Sequence, residues 1–157
     1  MNIEVQLQVQ ELLARYVQAI DDDRLEAWPD FFTGQCRYLV TTAENVEQGL
    51  PLGMIYATSG AMLRDRVRSL REANVYEAQR YRHVIGPPLV EAGEGGEVQA
   101  RTNFIVVRIM HTGETMIFAS GRYEDRISLA GPQGARFVEK VVVLDSRQID
   151  TLLAIPL

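Results

Sequence analysis

The order of signals along this chain predicts an α+β domain in which helices come first and a strongly curved, mostly antiparallel sheet follows. Apolar residues recur at helical spacing near the start, turn clusters divide the second half into four β-rich runs, and those runs are long. Strands commonly have ~5–6 residues, and longer ones must twist and curl. A curved sheet wrapped round three N-terminal helices is therefore the simplest closure, a cone-like α+β shape. The 157 residues, 46% of them hydrophobic, are enough for one domain over 1–157 that closes its core without disulfides.

The first helix rests on Val9, Leu12, Leu13, Tyr16, Val17 and Ile20, which stack on one face at about 3.6 residues per turn. Asp23 stands three residues before Glu26, the spacing of a capping box, and predicts a short second helix holding Leu25, Trp28, Phe31 and Phe32. Pro29 lacks an amide hydrogen and shortens or bends that helix, placing Phe31 and Phe32 in a tighter terminal turn. "CRYLVTT" alternates and reads as a strand, and a loop follows to about Gly53. Ser59 caps a third helix running to about Ala73, with Met62, Leu63, Val67 and Leu70 inward.

Beyond Arg80 the turns "AGEGGE", "HTGET" and "AGPQG" separate runs at about 80 to 91, 97 to 110, 115 to 129 and 136 to 147, an antiparallel meander. In "TNFIVVRIM" both alternating sets are apolar: Phe104, Val106 and Met110 on one side, Ile105, Val107 and Ile109 on the other. A solvated outer face does not need that, so something besides the helices is expected to cover it.

Several function classes lose support on composition. One cysteine, Cys36, cannot form an internal disulfide, and no Cys/His cluster exists to hold zinc or an iron–sulfur centre. A ferrous site on His83 and His111 would need both histidines of the chain together with a carboxylate, and they lie on different strands. No metal and no cofactor are expected in this chain. The run Asp21, Asp22, Asp23 lacks the spaced donors and central glycine of a calcium loop. Neither Ser59 nor Ser120 lies in a nucleophile elbow, and Cys36 reads as a small buried thiol. The N-terminus has no leader pattern, and no window approaches the ~18 apolar residues of a spanning helix, so a soluble cytoplasmic protein with no membrane contact is expected. One enzymatic alternative stays open: Tyr16 or Tyr38, His83 and Asp21 or Asp22 converging in the cone as acid and base of an isomerase or dehydratase.

The arginines Arg64, Arg68, Arg71, Arg80 and Arg82 suggest nucleic acid until the interleaved Asp65, Glu72 and Glu77 and the net charge of −5 are counted. Arginine and tyrosine with few lysines is the composition of protein–protein contacts, because a planar guanidinium or phenol buries area while keeping directional hydrogen bonds. The candidate contact residues are Arg71, Tyr76, Glu77, Arg80, Tyr81, Arg82, His83, Phe104 and Val106.

The segment "YVQAIDDDRLEAWPDFFTGQCRYLV" resembles the opening of the cone-shaped superfamily of nuclear transport factor 2 (NTF2) and ketosteroid isomerase. With "DRVRSLREANVYEAQRYRHVIGPP", "ASGRYEDRI" and "VVLDSRQIDTLLAIPL", the chain from about Leu12 to Leu157 resembles the beta (small) subunit of the aromatic-ring-hydroxylating Rieske oxygenases, in the terephthalate dioxygenase and salicylate hydroxylase branch. The resemblance implies an alpha subunit that carries the Rieske [2Fe-2S] cluster, mononuclear Fe(II) and substrate pocket, and a reductase that delivers electrons from NADH. It also implies an alpha3beta3 assembly on a trimeric beta base, with no catalytic residue in this chain. "YEAQRYRH", residues 76 to 83, matches the family's pattern as a subunit-contact region, without a catalytic role for Tyr81, Arg82 or His83. Which aromatic acid is hydroxylated stays open among terephthalate, salicylate, anthranilate and related benzoates.

Overall fold

The structure, a computed structural model, describes residues 2–72, 78–147 and 155–157. Tyr76 and Glu77 lie outside the described residues. Helix α1, Ile3–Asp21, starts on Asn2, whose side chain accepts the Glu4 amide, and buries the predicted stripe of Val9, Leu12, Leu13, Tyr16, Val17 and Ile20. This face fills the concave side of the sheet.

The second helical element is not the capped α-helix expected. Leu25–Phe31 is a 3₁₀ helix preceded by Arg24 with no side-chain cap. Asp23 takes a left-handed backbone, φ 59°, and its carboxylate is turned away. Arg71, on helix α3 (Gly60–Glu72), takes both members of the supposed capping box. Its guanidinium reaches the Asp23 carboxylate at 3.0 Å, the Asp23 carbonyl at 2.7 Å and Glu26 at 2.7 Å. That hydrogen bond holds the Glu26 carboxyl below its ordinary range. A forked cation with two carboxylates outcompetes a local cap. The partners are about two-thirds exposed, so water screens the cluster. Arg71→Ala should accordingly lower stability by only about 1 kcal/mol, read from a urea midpoint.

In α3, Ser59 caps as expected, its hydroxyl accepting the Met62 amide at 3.2 Å. Leu63, Val67 and Leu70 are buried, but Met62 is exposed, its sulfur taking the Thr58 hydroxyl. The core stripe of so short a helix is one residue wide, and position 62 falls outside it. The presumed loop before Gly53 contains a further short helix, α2 (Ala43–Glu47), capped by Thr42.

Seven strands form one sheet in the order β2-β1-β7-β6-β5-β3, with β4 also pairing β5. They are β1 (Phe32–Thr42), β2 (Ile55–Ser59), β3 (Gln79–Ile85), β4 (Leu89–Ala92), β5 (Glu97–Met110), β6 (Thr115–Ser128) and β7 (Arg136–Leu144). The run expected at 80 to 91 is two strands, split at Gly86, Pro87 and Pro88, since proline cannot donate to a ladder. All pairings are antiparallel except β1 with β7. Bulges interrupt β5–β6 between Val106 and Val107 and β6–β7 between Arg126 and Ile127, and such extra residues bend and twist a strand.

The narrow interior is filled by aromatic rings from α1, the 3₁₀ helix and the sheet. Tyr16 meets Phe31, Phe32, Tyr123 and Phe137 edge-on, and Trp28 meets Tyr38 at 5.1 Å. Edge-to-face packing suits the ring quadrupoles and fixes one arrangement. Cys36 is buried in β1, and burial raises its thiol pKa.

Candidate functional site

Alternation on β3 separates the candidate contact residues. Tyr81 and His83 point inward, 3% and 7% exposed, while Arg80, Arg82 and Val84 point outward. Tyr81 stacks on Phe118 with ring centroids 5.2 Å apart. Phe104 and Val106, paired with Ile85 and His83 across the ladder, face the chain's own core. Their strand neighbours Ile105 and Val107 hold the outward places instead. Arg71 is engaged within the chain, leaving Arg80 and Arg82 as the outward cations on β3.

The outer face of the sheet has two halves. At one, Val84 lies opposite Ile105, Arg82 opposite Val107, and Val107 opposite Ile117, an apolar ladder across three strands. Val84, Ile105 and Ile117 are 58%, 41% and 66% exposed, the open apolar face that the two-sided pattern predicts. At the other half, charges pair across strands: Arg37 with Glu139 at 2.9 Å and Arg126 with Glu97 at 2.8 Å. A groove of about 500 Å³ lies there, lined by Glu91, Gln99, Arg101, Glu124 and Glu139. These exposed pairs compensate one another and leave little net field for a phosphate backbone.

Inside the cone, the acid–base candidates fall into two groups. Asp21, at the end of α1, accepts the His83 amide at 2.8 Å and lies 2.6 Å from His83 Nδ1, with the two side chains 3% and 0% exposed. Asp22 is outside, near Arg24 at 3.6 Å. Tyr16 and Tyr38 instead converge on residue 157. Both hydroxyls donate to the Leu157 carbonyl, at 2.8 and 3.1 Å; Tyr38 also accepts the Leu157 amide, and Tyr16 accepts the Trp28 indole hydrogen. Residues 155–157 are themselves buried, so they occupy the space beside these phenols. Burial raises the Tyr16 pKa well above its ordinary value and pushes Tyr38 up to about 12, keeping both protonated at neutral pH.

A buried ion pair was not foreseen. Lys140 Nζ lies 3.1 and 3.2 Å from the Asp125 oxygens, with both side chains 0% exposed. Three rings enclose the ammonium: Tyr123 at 3.6 Å, Phe137 at 4.3 Å and Tyr16 at 4.6 Å. Burial drives both groups toward neutrality, lowering Lys140 to about 8 and raising Asp125 to about 6, against the opposing pull of each on the other. The signal was in the sequence: Asp125 shares the inward parity of Tyr123 and Ile127. A carboxylate on a core parity requires a buried partner.

Among the described residues no three His, Cys, Asp or Glu side chains converge on a metal-sized point. His83 is committed to Asp21, and His111 is exposed at the β5–β6 turn. These donors do not fit a Rieske cluster or a mononuclear iron. Among the described residues, no helix is long and apolar enough to cross a membrane.

The helix-filled cone with a bulged, curved sheet defines an NTF2-like domain; a solved NTF2-like protein with a cystatin-like fold from Novosphingobium aromaticivorans superposes with TM-score 0.67 at 21% identity, over 93% of this chain and 85% of that one. The chain belongs to the ring hydroxylating beta subunit family, which matches residues 15–151. It is 45% identical over 152 residues to a Comamonas terephthalate 1,2-dioxygenase terminal oxygenase component subunit beta 2, covering 97% of this chain and 98% of the relative. It is 38% identical to the anthranilate 1,2-dioxygenase small subunit of Burkholderia cepacia, over 99% and 96% of the two chains. A crystal structure from Novosphingobium aromaticivorans, assigned as an aromatic-ring-hydroxylating dioxygenase beta subunit, matches with TM-score 0.89 and 38% identity over 98% and 97%.

Proposed function

We propose that this chain is the non-catalytic structural subunit of a multicomponent oxygenase that hydroxylates an aromatic carboxylate with O2 and electrons from NADH. In this reading a large alpha subunit holds the Rieske [2Fe-2S] cluster and mononuclear Fe(II), a reductase passes on the electrons, and the assembly is alpha3beta3 on a beta trimer in the cytoplasm. The relatives named for terephthalate and anthranilate support an aromatic acid as substrate of the whole enzyme; the choice among such acids belongs to the large subunit's pocket.

The observation that carries this reading is the outer-face ladder of Val84, Ile105, Val107 and Ile117, rimmed by Arg82. A contiguous exposed apolar surface is an interaction surface, and a cation at its rim supplies orientation. Arg82 is 60% exposed, with only a 4.0 Å approach to Asp21, so its guanidinium is available to another chain.

Light scattering should find a trimer for the chain alone, and co-expression should bring the large subunit through purification with it. A stable monomer at micromolar concentration, or no co-purification, would refute the assembly reading. Arg82→Ala should weaken assembly by about 2–5 kcal/mol where its partner is left buried and unpaired. Hydroxylation by the reconstituted system should then recover as subunit concentration rises. A fully assembled but inactive variant would place Arg82 in catalysis or electron transfer instead.

A further inference from the structure

Three buried polar atoms on the inner face of the sheet have no hydrogen-bonding partner among the described protein groups: His83 Nε2, the Tyr123 hydroxyl and Thr102 Oγ1. Their side chains belong to residues 7%, 0% and 1% exposed. Buried polar groups of this kind are nearly always satisfied, so three on one interior surface require an explanation.

They lie on adjoining strands. Thr102 is the direct cross-strand neighbour of Tyr123. Tyr123 leans along β5, its ring stacked on Phe104 at 4.5 Å and 11°. The next inward residue of β5, Val106, pairs with His83. The Asp21 charge that His83 contacts also acts on the Tyr123 phenol, one of the causes raising it after burial and Tyr38.

Their hydrogen-bonding needs are complementary. Asp21 Oδ2 accepts the His83 amide and Oδ1 faces Nδ1, so the ring hydrogen belongs on Nδ1 and Nε2 is a lone pair that needs a donor. The phenol has a hydrogen to give, and the threonine hydroxyl can accept. A water molecule offers two hydrogens and accepts others, and a buried water typically makes about three hydrogen bonds.

We propose that a resident internal water lies among these three side chains, donating to His83 Nε2 and Thr102 Oγ1 and accepting from the Tyr123 hydroxyl. It ties β3, whose opposite side presents Arg82, through β5 to β6. The contact strand is thereby braced from within, and the Asp21–His83 pair is held in one tautomer.

Oxygen-17 magnetic relaxation dispersion on the purified chain counts water held longer than the tumbling time, and Tyr123→Phe tests its site while keeping the ring stacked on Phe104 and over Lys140. The variant should lose one long-lived water and melt lower by about 3 °C, the loss of a satisfied buried hydrogen bond. Thr102→Val should lower the melting temperature in the same sense and provides the test should the first variant not fold. An unchanged dispersion amplitude in either variant overturns the proposal whatever the melting temperature does. So does a higher melting temperature, since removing a truly orphaned hydroxyl stabilises.

Discussion

Gly121→Ala is expected to leave little or no folded protein at 37 °C. Gly121 stands on β6 opposite Leu144 of β7 and beside Phe104 of β5, in the middle of the sheet. A Cβ there falls well inside contact distance of the Val143 carbonyl oxygen, with the Val143 carbonyl carbon 3.0 Å and the Leu144 Cα 3.1 Å away. All three are backbone atoms of the paired strand, so no side-chain rotation relieves the overlap. The strands must part, and the β6–β7 ladder beneath Lys140 and Val142 parts with them. Overpacking of an ordinary core site costs about 1–3 kcal/mol; a clash against a central ladder belongs in the rarer class above about 4 kcal/mol. Circular dichroism and soluble yield would read the result. A variant that melts within a few degrees of the parent would show that the strands have slack at this point.

Lys140→Met should be nearly as damaging, for an electrostatic reason. The substitution keeps an unbranched chain among Tyr16, Tyr123 and Phe137 but strands the Asp125 carboxylate, already fully buried, without its cation. Breaking a buried pair from one side costs about 3–5 kcal/mol. Replacing both members, Lys140→Met with Asp125→Leu, should recover most of that, because apolar groups of similar volume need no solvation. The pH dependence separates this from a packing defect. Asp125 already titrates upward, near about 6 against 3.8, through burial, and loss of Lys140 removes the opposing interactions. Its folded pKa is raised, so the associated stability is present below the unfolded value and is lost as pH rises through the folded value. The single variant should therefore regain stability as pH is lowered from 7 toward 4. In the parent, Lys140 is lowered to about 8, so its contribution is present above its ordinary 10.5 and lost as pH falls through 8. The pair alone thus gives a shallow stability minimum between pH 6 and 8. Urea denaturation across this range is the measurement; a pH-independent loss in Lys140→Met would refute the account.

The elements that the sequence announces are those whose burial follows one period. Helix α1 was legible because every third or fourth residue from Val9 to Ile20 faces the sheet, and β5 because its inward set runs unbroken from Val98 to Arg108. The outward direction of Arg82 followed from the same alternation. What failed was decided at a distance. Asp23 and Glu26 have the spacing of a cap, but Arg71, 48 and 45 residues away, takes both. Strand β2 shows its alternation in only five residues, with Ile55 and Ala57 buried between exposed neighbours, too short to stand out from the loop before it. For the contact site, composition indicated a protein partner and the strand alternation divided surface from core. The listing of Phe104 and Val106 beside Arg82 joined residues that lie on opposite faces of the sheet. The meeting of Asp21 with His83 spans 62 residues, and no local spacing encodes it.

The parallel pairing of β1 with β7 has a consequence in time. Arg37 meets Glu139 across 102 residues of sequence. At about 5–20 residues per second on the ribosome, β1 waits roughly 5–20 s after its own synthesis for the strand it must lie beside. During that interval Phe32, Tyr38 and Val40, all buried in the finished sheet, have only the β2 hairpin for cover. Contacts of such long range slow folding because the loop must close before any pairing is gained. The outer ladder on β3, β5 and β6 is translated before β7 closes the sheet, so the surface offered to other subunits exists in the chain earlier than the rigid body that should present it. Assembly is therefore timed by the arrival of β7, and a partner that engaged the nascent ladder sooner would meet an unfinished cone.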